Sequence, residues 1–260
     1  MRTITTLLIS ALILVALVGC GGNDAAAPTG YAPGQEVEAY AYVHGGYVGK
    51  AVVTTNDEGA MSATIDEAFL PHTIAAVNLE DDAWSEDNTV SYEAHGNVTN
   101  VAQYVAYNDD VYVGRMVGNT LVYVPADENG EPSGSPSLEM MIIRNEANMK
   151  AYYDGIQNGA FEVFTEFGGD PMTVTTTSYG SLTKRGSSYW DFGIGWEGNV
   201  DAIAEAAAQN GVGYSLDELT KNSDGEWEVA DATTAATASD FKDYFALIQL
   251  ASARLAMATE

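Results

Sequence analysis

The chain has 260 residues, 37 of them acidic and 10 basic, for a formal net charge of −27. A surface of that sign repels nucleic-acid phosphates and anionic lipid, so neither DNA nor RNA is an expected partner. Cysteine occurs once, at Cys20. With no second thiol, disulfides, Cys-based zinc sites, iron–sulfur clusters and c-type haem attachment are not expected, and the core alone has to supply stability.

Residues 2–20 read RTITTLLISALILVALVGC, with one Arg ahead of an apolar run from Leu7 to Val18. A bilayer-spanning helix needs roughly 20 apolar residues, and this shorter run suits the core of a signal peptide. It closes in Leu17-Val18-Gly19-Cys20, which resembles the bacterial lipobox. That resemblance implies lipid on Cys20, cleavage before it, and a mature protein held at the extracytoplasmic face of a membrane. Residues 21–35 are Gly, Ala, Pro and Asn with little to bury, a tether by composition. One domain is expected over 36–260.

From Glu36 the pattern is β. The stretches 37–43, 47–55 and 60–69 are rich in Val, Thr and Tyr, and Asn56-Asp57-Glu58-Gly59 marks a turn. Further strands are expected at 99–107, 111–118 and 120–124. The segment 41–52 aligns without gaps on 106–117, with Lys50 matching Arg115; two similar hairpins or a duplication would each produce this echo. After the polar loop 127–137 the period changes. Asn145 is an N-cap for a helix in which Met149, Tyr152, Tyr153 and Ile156 share a face. Asn199 is a second expected cap, for a helix ended by Gly211. A third helix starts at Ser239, with a stripe through Phe241, Tyr244, Phe245, Ile248, Ala251 and Leu255. Strands followed by helices predict an α+β fold, an antiparallel sheet from the N-terminal half packed by helices from the C-terminal half.

The stretch 184–199, KRGSSYWDFGIGWEGN, holds the only adjacent Lys-Arg pair, Lys184-Arg185, beside Tyr189, Trp190, Trp196 and four glycines. It contains a literal G-x-G-x-x-G, Gly193 to Gly198, but no βαβ pattern surrounds it, so a dinucleotide fingerprint is not supported. Glycines ahead of a helix start still free backbone N–H groups for an anion. The histidines, His44, His72 and His95, are scattered without metal-ligand spacing. His72 is the one expected to meet a carboxylate, Glu67, through local geometry. Residues 81–93 fail the calcium-loop pattern, and no G-x-S-x-G nucleophile elbow occurs. Hydrolytic chemistry has no support in the sequence.

Two segments resemble a family. Residues 44–69, with Gly46, Tyr47, Gly49 and Glu67, are similar to the opening of the small FMN-binding domain of exported flavoproteins. Residues 187–211 are similar to the stretch that in that family precedes an Ala-rich helix. The resemblance covers about 50 residues by motif and implies an electron-transfer flavoprotein with a redox partner protein. Thr183, Ser187 and Ser188 would be the candidate points for a phosphoester to FMN. Lys184 and Arg185 would meet the FMN phosphate, and Tyr189, Trp190 or Trp196 would stack on the ring. The Asp-x-x-x-Ser-Gly-Ala-Thr sequence of that family is absent. The competing reading is a surface lipoprotein that binds a solute or partner without redox chemistry; a structural envelope protein is a third.

Overall fold

The computed structural model describes residues 30–94, 96–229 and 232–258. The signal peptide, Cys20, most of the tether and His95 lie outside the described residues. The described part is α+β with every strand pairing antiparallel.

The chain opens with a three-stranded meander: β1 (Glu36–Val43), β2 (Tyr47–Thr55) and β3 (Met61–Phe69), in the order β1-β2-β3. Successive side chains of a strand point to opposite faces. One face carries Ala39, Val43, Ala51, Val53 and Ile65, and the other carries Tyr40, Val48 and Ala68. Both faces are therefore built to be covered.

A short helix α1 (Pro71–Ile74) leads to β4 (Ala76–Val77), β5 (Thr89–Ala94) and β6 (Asn97–Ala102), which form a second sheet in the order β4-β6-β5. The stretch expected as one strand over 99–107 breaks at Gln103. Its second half, β7 (Tyr104–Tyr107), joins a different sheet with β8 (Asp110–Val117) and β9 (Thr120–Pro125). The 41–52 and 106–117 echo thus lies in two hairpins belonging to separate sheets.

Helices α2 (Leu138–Ile142) and α3 (Glu146–Gln157) follow the polar loop. Asn145 caps α3 as expected, its side chain accepting from the Asn148 N–H at 2.9 Å. Strands do not end with the first half. β10 (Phe161–Phe164) and β11 (Met172–Thr173) complete a five-stranded sheet, β11-β10-β7-β8-β9. Then come α4 (Gly195–Asn210), a small sheet of β12 (Thr220–Lys221), β13 (Trp227–Val229) and β14 (Ala232–Thr233), and α5 (Phe241–Ser252).

The helices divide between the two faces of the first sheet. Helix α3 lies on the Tyr40 and Val48 side, and α4 and α5 lie on the Ala51 and Ile65 side. Gly49 allows the close approach of α5: a Cβ there would stand 3.0 Å from Leu247 Cδ2 and from a Val43 methyl. Helix α4 starts at Gly195, four residues before the expected cap. Gly193 and Gly195 take φ of 63° and 70°, which lets the chain turn into the helix. Asn199 sits buried inside α4. Its Oδ1 accepts from the backbone N–H groups of Thr237 and Ala238, at 2.8 and 2.9 Å, so it ties the chain ahead of α5 to α4.

Helix α3 is pinned to the sheet by charge. Glu38 on β1 meets Lys50 on β2 at 2.7 Å and Lys150 on α3 at 3.1 Å. The Lys50 hydrogen bond, helped by Lys150 and Tyr40, holds the Glu38 carboxyl at about 2, well below the usual range. A carboxyl depressed in the folded state adds stability above its unfolded value, and that stability is lost as pH falls through the folded value. Stability should therefore fall between about pH 4.5 and 2. Urea titrations across this window should show a shallower fall in Glu38→Gln; an identical profile in wild type and variant would remove Glu38 as a source.

Candidate functional site

Strand β3 alternates Met61, Ala63, Ile65, Glu67 and Phe69 on one phase. Glu67 therefore falls where an apolar side chain would be expected, and it is 0 % exposed. A buried carboxylate needs a partner, and the segment following Leu182 brings it. That segment joins the free edge of β3: Phe69 N–H donates to Leu182 O at 3.2 Å, and Lys184 N–H donates to Glu67 O at 2.8 Å. The Lys184 side chain turns inward, 2 % exposed, with Nζ 2.5 Å from Glu67 Oε2. The contact is a short, buried ion pair.

Aromatic rings enclose the ammonium. Nζ lies 3.4 Å from the Tyr47 ring centroid, 4.2 Å from that of Tyr189 and 5.7 Å from that of Trp196. Burial pushes the Lys184 ammonium below the usual lysine value, and Glu67 pulls against that shift. The Tyr47 and Tyr189 hydroxyls bond each other at 2.8 Å, and burial pushes both up.

The other Glu67 oxygen meets a histidine, but not the one expected. His72 follows the end of β3 and contacts the Tyr92 ring. His44, in the turn between β1 and β2, places Nε2 2.5 Å from Glu67 Oε1 and 3.0 Å from the Tyr244 hydroxyl. Trp196 Nε1–H donates to that hydroxyl at 3.0 Å. Asp243, on α5, accepts the His44 backbone N–H at 3.0 Å. Helices α4 and α5, the first hairpin and the loop before α4 therefore converge on one carboxylate.

Above this cluster opens a cleft of about 280 Å³, lined by His44, Lys184, Tyr189, Trp190, Trp196 and Tyr244, with Asp240 on the α5 side. Trp190 is 39 % exposed and has a φ of 48°. A bulky side chain in that left-handed region is strained, and such strain gathers at ligand sites.

Of the expected residues, Lys184, Tyr189, Trp190 and Trp196 line the cleft, Tyr47 packs against the Lys184 ammonium, and the others lie outside the cleft lining. Gly46 closes the hairpin turn, donating to Val43 O, and Gly49 lies beneath α5. Arg185 turns the other way, its guanidinium bonding Ile65 O at 3.0 Å and Asp201 at 2.8 Å. The hydroxyls of Thr183, Ser187 and Ser188 each donate to a backbone carbonyl: Arg185, Lys184 and Tyr179 respectively. Both cations expected to meet a phosphate are thus paired with carboxylates. The G-x-G-x-x-G glycines follow a loop rather than a strand, and Glu197 in the first turn of α4 bonds the Gly186 N–H at 2.6 Å.

His44, Tyr244 and Asp240 were not singled out in the sequence as site residues. Glu67 at an apolar phase of β3 was the available signal, since it demanded a buried cation. Among the described residues no group of three or more His, Cys, Asp or Glu could hold a metal ion. No known protein family, curated protein or solved structure matches the chain, so the flavin-domain likeness rests on the motifs alone.

Removing one member of a buried ion pair costs about 3–5 kcal/mol, whereas an uncharged replacement of both members is far better tolerated. Lys184→Met and Glu67→Gln should each destabilise to this degree in urea unfolding. The double variant should recover much of the loss. Simple additivity of the two single effects would show that the two residues are not coupled.

Proposed function

We propose that the chain is a lipid-anchored binding protein whose cleft takes a small cationic solute. The observation that supports this best is the composition of the cleft. Tyr189, Trp190, Trp196 and Tyr244 line it, Asp240 supplies a carboxylate, and the only lysine in the lining is already neutralised by Glu67. Aromatic faces attract cations by about 0.5–2 kcal/mol each, more when water is excluded. The net charge of −27 raises the local concentration of cations further. Lys184 in its cage of Tyr47, Tyr189 and Trp196 is an internal example of the same recognition.

A flavin fits this geometry less well. Its phosphate would enter beside Asp240, while Lys184 and Arg185 are held by Glu67 and Asp201. The aromatic exposure of Trp190 is the feature that a flavin ring would share with a cationic ligand.

Tryptophan fluorescence with choline and tetramethylammonium as probes tests the reading. Saturable quenching is expected, and Trp190→Ala and Asp240→Asn should each weaken it by about five- to thirtyfold. The absence of a saturable response, or a response indifferent to both variants, would sink the cation reading. Quenching of added FMN, or a yellow purified protein, would restore the flavin reading instead.

The lipobox-like Leu17-Val18-Gly19-Cys20 supports attachment through lipid on Cys20; among the described residues no helix is long and apolar enough to cross a membrane. Cys20→Ala should release the protein from the membrane fraction or leave it unprocessed. A variant that remains membrane-bound at the normal mature mass would overturn the lipid anchor.

A further inference from the structure

His44 lines the aromatic cleft and faces a carboxylate at each ring nitrogen. Nε2 lies 2.5 Å from Glu67 Oε1, and an ionised carboxylate can only accept, so the ring hydrogen belongs there. Nδ1, 4.0 Å from Asp240 Oδ2, then carries no hydrogen in the neutral ring. The other ionisable groups around the ring come from each element packed against it. Tyr47 on β2 has its ring centroid 4.9 Å from the imidazole. Lys184 shares Glu67 with it. On α5, Tyr244 approaches Nε2 to 3.0 Å, and Asp243 accepts the His44 backbone N–H. Tyr189 lines the cleft beside them. Burial is the main cause that raises the Tyr47, Tyr189 and Tyr244 hydroxyls, and the Asp240 charge adds to the last two, so its field reaches the floor of the cleft.

We propose that His44 couples cation binding in this cleft to pH: a proton on Nδ1 pairs the ring with Asp240 and releases the solute. The proposal rests on the cationic-solute reading of the cleft. Charge sets the sign. With His44 neutral, Glu67 and Lys184 cancel, and Asp240 leaves the lining negative. A proton on Nδ1 removes that excess, because the imidazolium and the Asp240 carboxylate then face each other. An entering cation loses its carboxylate and meets a positive ring. The two events oppose one another, so a bound cation holds the proton off His44 to the same degree. Histidine is the side chain that gains charge in mildly acid surroundings. The cleft would therefore bind its solute near neutral pH and release it on acidification. Like charges sharing a half-open site should weaken binding by about tenfold.

Tetramethylammonium is a suitable probe, since its own charge does not change with pH. Its affinity for the mature protein, read by tryptophan fluorescence, should weaken by about tenfold from about pH 8 to about pH 5.5. His44→Gln keeps an N–H donor for Glu67 and removes the titrating nitrogen, so its affinity should be the same at both values. A second measurement needs no variant to fold. The imidazole resonances of wild-type protein, followed by NMR, should show a His44 titration midpoint that falls by about one pH unit at saturating tetramethylammonium. Saturable binding that ignores pH, or a His44 midpoint that ignores the probe, would overturn the coupling and leave the cation reading standing. A pH dependence that persists in His44→Gln would assign it to Asp240 alone and likewise overturn the coupling. No saturable response at pH 8 would overturn the cation reading and the coupling with it.

Discussion

The Glu67–Lys184 pair is the constraint on which the rest of the site depends. Two charges that leave water each lose several kcal/mol of solvation, and the loss is offset only when they meet in good geometry with further partners. Glu67 satisfies this from two directions, through Lys184 and His44. Lys184 satisfies it with one carboxylate and the faces of Tyr47, Tyr189 and Trp196. Residues 174–194 contain no helix or strand of their own. Their position follows from the backbone bonds of Leu182 and Lys184 to β3 and from the buried side chain of Lys184. Two aromatic walls of the cleft, Tyr189 and Trp190, are thus carried by a segment that the ion pair fastens.

The same residues connect the two halves of the interior. One hydrophobic cluster gathers α3, the Tyr40 face of the first sheet and the later sheets. The other gathers α4, α5 and the opposite face. Tyr47 and Tyr189 pack against both. Their mutual hydrogen bond and their edge-on contacts with Phe69 place the site at the seam. A seam between packed layers is a common location for ligands, because concavity arises there without the opening of a core. Gly49 contributes by letting α5 approach closely enough for Tyr244 to reach His44.

Much of this was legible in the sequence, for local reasons. The three strands of the first sheet follow alternation and turn residues, and α3 follows its Asn145 cap and its buried stripe of Met149, Tyr152, Tyr153 and Ile156. What was missed depended on distant partners. Asn199 has the side chain of a cap but lies within α4, because Gly193 and Gly195 start the helix earlier and the 237–238 backbone competes for its oxygen. The break at Gln103 was hidden because β6 and β7 are both apolar and serve different sheets. The Glu67 partner was sought five residues away at His72, whereas pairing across the sheet supplied His44 from the first hairpin. The basic doublet was read as one feature, although alternation sends Lys184 inward and Arg185 outward.

An apolar pair of similar volume would have filled the Glu67 and Lys184 positions without the desolvation cost, and such replacements are often neutral or stabilising. Charge placed at that depth is best understood through what it does for the surface above it. The pair cancels the only lysine in the cleft lining, so Asp240 sets the sign that an entering solute meets. It also holds Tyr47 and Tyr189 as walls around a cation, with their hydroxyls kept protonated by burial. Perturbed ionisable groups at the floor of a cleft mark functional sites more often than structural ones would. Here the perturbation, the strained Trp190 and the convergence of four chain segments fall on the same few residues.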